Sequence, residues 1–313
     1  MRQFFTLSKK DINLSEFEVL RLYQPKKHKL VDNILIIESD KDYSSRFAYT
    51  NEVYELLFES TPRSLDKKVK EFDWRRVYRE SFCVRIANNK NLSEKRIAGM
   101  IYHRIKNPKV DLRNAKTKIV FFNTKKGVIC GLLKAEIDKS FLKRRAHLRP
   151  ELHPTSLSPQ LAKAAINLTG KTKGTLLDPF CGSGGILIEA GLMGFEVTGF
   201  DIDSIMINRS KINLDYYGLK NYKLKIFDAT KVKEKYDCIV TDLPYGRNSK
   251  LSSEIKTLYK NFLKAAYNST EAAVVLFPDF IDYKKVLGKW KEVSSFDYYL
   301  HKSLSKKIVV LGK

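Results

Sequence analysis

The sequence lacks several features that would have pointed to a common class of protein. Its four cysteines contain no C-x-x-C pair and its five histidines show no metal-ligand spacing, which argues against a zinc site. No apolar run approaches the roughly 20 residues that span a membrane, and no signal-peptide pattern is present. Internal repeats are also missing. We therefore expect a reduced, cytoplasmic, globular protein with neither a metal nor a membrane segment.

Acidic residues are scarce relative to basic ones. The 313-residue chain has 58 Lys plus Arg against 35 Asp plus Glu, a formal net charge of +23. Residues 1–150 hold 34 basic and 18 acidic residues, a net of +16, whereas residues 151–313 hold 24 and 17, a net of +7. This excess favours a polyanionic partner that binds mainly to the first half. A generally lysine-rich proteome is the alternative explanation of the charge.

What the sequence does have is a glycine-rich turn after a predicted strand. The strand is Thr175–Leu177, the turn reads Asp178-Pro-Phe-Cys-Gly-Ser-Gly-Gly, and Ile186–Met193 has the apolar content of a buried helix. The turn lacks both the dinucleotide G-x-G-x-x-G spacing and the Lys-Ser/Thr of a phosphate loop. An acid at the strand end suits a cation, such as the amino group of a methionine moiety. An ordinary tight turn with a solvated Asp would show the same pattern.

Two further predicted strands end in acids. Glu196–Phe200 leads to Asp201, about 20 residues after the first acid, where doubly wound nucleotide sites place the carboxylate that binds ribose. Lys223–Phe227 leads to Asp228, which can accept a hydrogen bond from an adenine amino group. Three acid-tipped strands predict S-adenosylmethionine, because this cofactor has a ribose and an adenine but no phosphate. Two nearby acids are interpreted as a helix cap and a loop charge, Asp203 and Asp237.

A fourth predicted strand, Cys238–Thr241, ends in Asp242-Leu-Pro-Tyr. Parallel strands end at one edge of a sheet, so this turn and the first should share a crevice. An aromatic amine is a poor nucleophile, and Asp242 with the carbonyl of Leu243 or Pro244 can accept its N–H groups. Pro244 fixes the turn, and Tyr245 offers a ring on which a splayed-out base stacks. Guanine suits Asp242 best because its N1–H and N2–H₂ are adjacent donors, while adenine remains an alternative.

From Asp178 to Arg247 the chain resembles the catalytic domain of the archaeal tRNA guanine N2-methyltransferases that act on guanosine-10. Ser8–Leu22 and Arg46–Leu57 resemble the ferredoxin-like lead-in of that family. The segment from Arg149 to Leu157 resembles its joining segment, which folds over the cofactor. Four segments resemble a THUMP domain, which is an RNA-binding module: Ser81–Ile86, Glu94–Ile105, Val110–Asn114 and Lys118–Phe122.

The resemblance implies which residues hold S-adenosylmethionine. It assigns Asp178, Gly182 and Gly184 to the methionine end, Asp201 to the ribose and Asp228 to the adenine. The full set of expected cofactor residues is Thr155, Asp178, Cys181, Gly182, Gly184, Asp201, Ile202, Asp228 and Ala229.

The resemblance also implies the reaction. Asp242, Pro244 and Tyr245 are the expected catalytic residues, and the expected product is N2-methylguanosine or its dimethyl form at position 10 of tRNA. Many relatives have Pro where this chain has Leu243, which implies a less rigid turn here. The need for a small activator subunit is left open, and DNA is not expected as a substrate. The alternatives are another tRNA position, ribosomal RNA, N6 of adenine, or a non-catalytic RNA-binding protein.

These observations predict a two-part α/β organisation. A seven-stranded, doubly wound, Rossmann-like methyltransferase domain is expected over residues 160–313. It should be preceded by an α+β region with a ferredoxin-like domain over 1–55 and a THUMP domain over 56–141. The linker over 142–159 combines a basic run with three prolines. The closing elements are predicted as helices over 253–268 and 279–288, a strand over 272–277, and an antiparallel edge hairpin near 290–299 and 306–311.

Overall fold

Two compact units make up the chain in the computed structural model, which describes residues 1–88, 92–152, 156–245, 251–301 and 304–313. The first unit consists of Met1–Glu16, Tyr23–Ser45 and Tyr49–Ile137. The second consists of Phe17–Leu22, Arg46–Ala48 and Asp138–Lys313. Each unit is built on a seven-stranded sheet.

The sheet of the first unit is largely antiparallel, in the order β2-β3-β1-β4-β7-β6-β5. Its strands are β1 (Arg2–Leu7), β2 (His28–Val31), β3 (Ile34–Glu38), β4 (Thr50–Ser60), β5 (Phe82–Ala87), β6 (Thr117–Thr124) and β7 (Gly127–Glu136). The helices of this part of the chain are α1 (Ile12–Tyr23), α2 (Leu65–Glu71) and α3 (Glu94–Tyr102). The boundary expected at residues 55 and 56 falls inside β4. The division of this unit into a ferredoxin-like and a THUMP domain therefore stays a prediction.

Local sequence signals explain the elements around α3. The side chain of Ser93 caps the helix by accepting a hydrogen bond from the backbone N–H of Arg96. Ile97 and Ile101, one turn apart, are fully buried, as the four-residue spacing of isoleucines predicts. Strands β6 and β7 form an antiparallel hairpin.

The sheet of the second unit has the order β10-β9-β8-β11-β12-β14-β13, in which β8 to β12 are parallel. Its strands are β8 (Gly174–Asp178), β9 (Phe195–Asp201), β10 (Tyr222–Ile226), β11 (Cys238–Asp242), β12 (Ala272–Pro278), β13 (Lys291–His301) and β14 (Leu304–Gly312). Its helices are α4 (Pro159–Leu168), α5 (Gly185–Leu192), α6 (Ser204–Tyr216) and α7 (Leu251–Ser269). The predicted seven strands and the antiparallel edge hairpin of β13 and β14 are confirmed.

The helix predicted over 279–288 is wrong. Only a short 3₁₀ turn, Tyr283–Lys285, forms there. The buried side chains are Ile281, Tyr283, Val286 and Leu287, and this uneven spacing does not follow one face of an α-helix. Gly288, at φ +62°, then turns the chain into β13.

Both tryptophans are packing anchors. Trp74 is buried and donates its indole N–H to the carbonyl of Val69, and Trp290 does the same to Leu263. The four cysteines are buried free thiols. Within the described ranges, no helix is both long enough and apolar enough to cross a membrane.

Candidate active site

The carboxyl ends of four neighbouring parallel strands enclose a cavity in the second unit. Strands β10, β9, β8 and β11 are adjacent in the sheet, so their final residues and the turns that follow meet at one edge. The cavity has a volume of about 610 Å³. This size is typical of a site for a small-molecule cofactor.

Ten of the twelve expected site residues line this cavity. They are Asp178, Cys181, Gly182, Asp201, Ile202, Asp228, Ala229, Asp242, Pro244 and Tyr245. Gly184 is not on the cavity wall, and Thr155 lies outside the described residues. Ser156 and Leu157, from the expected joining segment, also line the cavity. The assignment of individual ligand contacts to these residues stays a prediction.

The glycine-rich turn adopts a backbone shape that only glycine tolerates easily. Gly182 and Gly184 have φ values of +51° and +84°. Gly184 precedes the first turn of α5, and a Cβ there would lie 2.5 Å from Oγ of Ser210. The backbone N–H of Cys181 donates to the carbonyl of Phe200 at 2.8 Å, which ties the turn to β9. Gly184 therefore shapes the turn although it does not reach the cavity.

Asp178, at the end of β8, is the most deeply buried acid of the cavity. One of its oxygens accepts hydrogen bonds from Oγ1 of Thr241 at 2.7 Å and from the backbone N–H of Phe180 at 3.3 Å. Burial disfavours the charged form and raises the pKa of Asp178 to about 7. A cation in the cavity would stabilise the carboxylate, so this residue is suited to an ammonium or sulfonium ligand.

The other two strand-end acids accept hydrogen bonds from nearby turns. Asp201 accepts hydrogen bonds from the backbone N–H of Gly182 at 3.0 Å and of Asp203 at 2.9 Å. Asp228 accepts from the N–H and the hydroxyl of Thr230, and these bonds lower the pKa of Asp228. Both carboxylates keep oxygen lone pairs for a ligand hydroxyl or amino group.

The two acids interpreted from the sequence as a helix cap and a loop charge both accept hydrogen bonds from the backbone, and Asp203 also lines the cavity. Asp203 caps α6 by accepting from the N–H of Ile205 at 2.8 Å. Asp237 accepts from the N–H and the hydroxyl of Thr175.

The chemistry of the cavity wall fits S-adenosylmethionine. Five aspartates line it, and no lysine, arginine or histidine is among the described lining residues. A phosphate-bearing nucleotide would be repelled, whereas a cofactor with an ammonium, a sulfonium and a ribose diol would be attracted. Ile202, which is 77% exposed, and Phe227 add apolar surface for a purine ring.

The Asp-Leu-Pro-Tyr turn forms the opposite side of the cavity. Both carboxylate oxygens of Asp242 contact Nζ of Lys306, a buried residue of β14. The same Nζ lies 5.0 Å from the centre of the Tyr245 ring. Burial raises the pKa of Asp242, while the Lys306 ammonium opposes that rise.

Leu243 stands where many relatives have Pro, but this difference does not make the turn flexible. Leu243 is buried, and its backbone N–H donates to the carbonyl of Leu276 in β12 at 3.1 Å. A proline at this position could not donate that bond. The next carbonyl, of Pro244, accepts a 2.6 Å hydrogen bond from the hydroxyl of Tyr259. Tertiary bonds thus replace the rigidity that a second proline would supply.

Sequence reasoning missed three residues that support the site: Thr241, Tyr259 and Lys306. A signal for Lys306 was available, because in a strand over 306–311 it shares a face with Ile308 and Val310. A lysine on an apolar strand face needs a buried partner. Thr241 and Tyr259 carry no comparable signal in the sequence.

Comparison with known proteins assigns the chain to a family. A family model described as RMKL-like, methyltransferase domain, matches residues 146–303. The tRNA (guanine(10)-N2)-dimethyltransferase of Methanothermobacter thermautotrophicus is 35% identical over 287 residues, covering 87% of this chain and 85% of the relative. That of Pyrococcus abyssi is 36% identical over 258 residues, covering 78% and 77%. The chain belongs to the family of the tRNA (guanine(10)-N2)-dimethyltransferases. The resemblance stated from the sequence is confirmed.

Two further comparisons concern fold and substrate class. TrmN from Thermus thermophilus matches over 100% of both chains with a TM-score of 0.50 at 19% identity, and a possible methylase from Clostridium difficile 630 matches with a TM-score of 0.51. These matches confirm the Rossmann-like methyltransferase fold. A second family model, described as a DNA methylase, matches residues 15–211 and ends before Asp242. That match therefore does not include the Asp-Leu-Pro-Tyr turn.

Proposed function

We propose that this protein is an S-adenosylmethionine-dependent tRNA guanine-N2-methyltransferase that acts on guanosine-10. The observation that carries the proposal is the placement of Asp242, Pro244 and Tyr245 on the cavity that also holds the acid-tipped strands. A methyl donor and an amine acceptor can then meet in one crevice. The family relatives, whose names state this activity, support the target position.

Five residues of the cavity have a task in this reaction. The bound cofactor supplies a methyl group carried on a sulfonium sulfur. Asp178, Asp201 and Asp228 would hold its amino, ribose and adenine ends. Asp242 accepts hydrogen bonds from the amine N–H groups, which localises the nitrogen lone pair, and Tyr245 holds the flipped base by stacking.

A basic groove in the first unit supports tRNA as the partner. It has a volume of about 670 Å³ and one acidic lining residue, Glu55. Its basic lining residues are Arg2, Arg76, Arg79, Lys116 and Lys134. Such a surface suits phosphates, which position an RNA without reading its bases. We assign the docking of the tRNA body to this unit, with residues 56–141 as the THUMP domain and 1–55 as the ferredoxin-like domain.

A cytoplasmic location fits the buried free thiols. An activator subunit and the number of methyl groups transferred are left to experiment.

Mass mapping of modified nucleosides tests the proposal directly. Unmodified tRNA would be incubated with the full-length protein and S-adenosylmethionine, digested, and searched for N2-methylguanosine and N2,N2-dimethylguanosine. We expect both methyl groups, or one, on guanosine-10 and none on a transcript with adenosine at that position. Methylation of another tRNA position, of ribosomal RNA or of duplex DNA would show that the protein has a different substrate from the proposed one. No transfer to any of them, with the cofactor bound, would favour a non-catalytic RNA-binding protein.

A further inference from the structure

Strand β14, which lies between β12 and β13 in the sheet, brings a lysine to the Asp-Leu-Pro-Tyr turn. The side chain of Lys306 is only 3% exposed, and its ammonium contacts both carboxylate oxygens of Asp242. It also lies beside the ring of Tyr245. A buried ammonium is costly unless it is paired, so a lysine at this depth requires a specific partner. Asp242 is that partner.

Strand geometry shows why this lysine, and not its neighbour, reaches the turn. In the antiparallel pairing of β12 with β14, Lys306 lies opposite Pro278, close to the end of β12 beside β11. The next residue, Lys307, points to the other face, where it pairs with Asp297 and is 33% exposed. Two adjacent lysines therefore have different environments, and Lys307 is a natural control.

We propose that Lys306 is a positioning residue that fixes the Asp242 carboxylate and balances its charge so that it can accept the N–H groups of the target base. The inference rests on the proposed methyl transfer to guanine. A carboxylate offers about four lone-pair sites, so two contacts with Lys306 leave sites for two adjacent base donors. The ion pair is neutral as a whole, so a neutral base can bind without leaving an uncompensated charge.

The groups that face Asp242 come from several elements. Lys306 approaches from β14, Asp178 lies at the end of β8, Tyr259 approaches from α7, and Tyr245 is in the same turn. Among these, Lys306 alone favours the ionised form of Asp242. Burial favours the protonated form, as does the negative charge of Asp178 when that residue is ionised. Removing Lys306 should therefore raise the pKa of Asp242 further.

The first test is the pH profile of methyl transfer. Asp242 can accept hydrogen bonds from both N–H groups of the base only when its carboxyl group is ionised. Lys306→Met should therefore move the acid limb of the pH profile of kcat to higher pH. We expect about a 10²-fold loss near pH 6 that shrinks to less than about tenfold near pH 9, with the KM for S-adenosylmethionine unchanged. Lys306→Arg should keep most of the rate, because it restores the charge. Lys307→Met should behave like the wild type.

The outcomes separate positioning from a merely structural role. An equal loss at every pH would mean that Lys306 only supports the fold, and an unchanged profile would mean that it has no role; either result overturns the inference. If the wild type methylates no tRNA at all, the proposed function fails instead.

Thermal unfolding gives a second test that does not need activity. In Lys306→Met the folded-state pKa of Asp242 should lie well above its unfolded value, so stability should fall as pH rises between the two. The Tm deficit relative to the wild type should therefore grow from about pH 5 to about pH 8. Lys307→Met should show no such trend. A Tm deficit in Lys306→Met that does not depend on pH would show that the two groups are not coupled.

Discussion

The two units each contain a large concave surface, and the two surfaces are nearly equal in size. The groove of the first unit has a volume of about 670 Å³ and the cavity of the second about 610 Å³. Their linings are opposite. Five lysines and arginines with one glutamate line the first, whereas five aspartates and no described lysine or arginine line the second. Charge, and not size, therefore decides which ligand each surface suits.

This difference explains how a chain with a net charge of +23 can bind a cationic cofactor. The overall excess of positive charge attracts RNA at long range. At short range, the described lining of the cavity is acidic and contains no lysine or arginine, which favours a cation there. In the proposed function, RNA docking and cofactor binding are therefore separated, because the two units carry linings of opposite charge.

The largest effect is expected from the turn that faces the base. Asp242→Asn and Tyr245→Ala should lower kcat by about 10²- to 10⁴-fold while keeping cofactor affinity, because both residues act only on the target nucleotide. Single-turnover methyl transfer and calorimetric titration would measure the two properties. Tyr216→Ala, at a tyrosine that is 64% exposed, is the matched control. A rate above about a tenth of the wild type in Asp242→Asn would contradict the acceptor role.

The next effect concerns the cofactor side of the cavity. Asp201→Ala should weaken S-adenosylmethionine binding by about 10²-fold, because a charge-assisted bond to ribose and the bond to Gly182 are both lost. Affinity for tRNA should stay within about twofold. Calorimetry and filter binding would measure the two ligands, with Asp237→Asn as a control outside the cavity. Equal loss of both affinities would show that the two sites are not separate.

A smaller effect is expected from the basic groove. The double variant Arg79→Ala, Lys116→Ala should weaken tRNA binding by about tenfold. The slope of the logarithm of the binding constant against the logarithm of the salt concentration should fall in magnitude by about two, one unit for each lost phosphate contact. Cofactor affinity should not change. The control is Lys9→Ala, Lys10→Ala, which removes the same charge from exposed positions of the same unit outside the groove. If both double variants lose affinity equally, only net charge matters and the groove has no special role.

The smallest effect is a pH dependence set by Asp178. Burial raises its pKa to about 7, so the ionised fraction of the carboxyl group increases as the pH rises through this value. Affinity for the cationic end of S-adenosylmethionine should rise severalfold as pH increases through about 7 and then level off. Asp178→Asn should bind weakly at every pH tested. A wild-type affinity that is flat through this range would show that Asp178 does not contact the cation.

The sequence predicted much of the second unit because its signals are local. The strand, turn and helix around Asp178, the acids Asp201 and Asp228, and the final hairpin each follow from a few consecutive residues. Their convergence follows from one general rule, that parallel strands end at the same edge of a sheet. The helix predicted over 279–288 was wrong, because the apolar residues of this segment are buried without helical spacing.

Contacts between residues that are far apart in the sequence could not be predicted from such local patterns. Arg46 donates hydrogen bonds to the carbonyls of Thr172 and Met193, and Arg21 donates to those of Leu168 and Thr169. The compact second unit therefore includes residues from the beginning of the chain, and cutting the chain at residue 151 or 160 would remove them.

The cofactor class, the family and the chemistry of the turn follow from the sequence alone, because they depend on residue types at fixed short spacings. How the turn is supported follows only from the fold. Lys306 and Tyr259 reach Asp242 and Pro244 from strands and helices that share no local pattern with the turn. Sheet order and strand pairing determine which residues they contact. Burial then increases the electrostatic attraction between Asp242 and Lys306. A buried charge is defined by all of its neighbours, so its role appears only when the chain has folded.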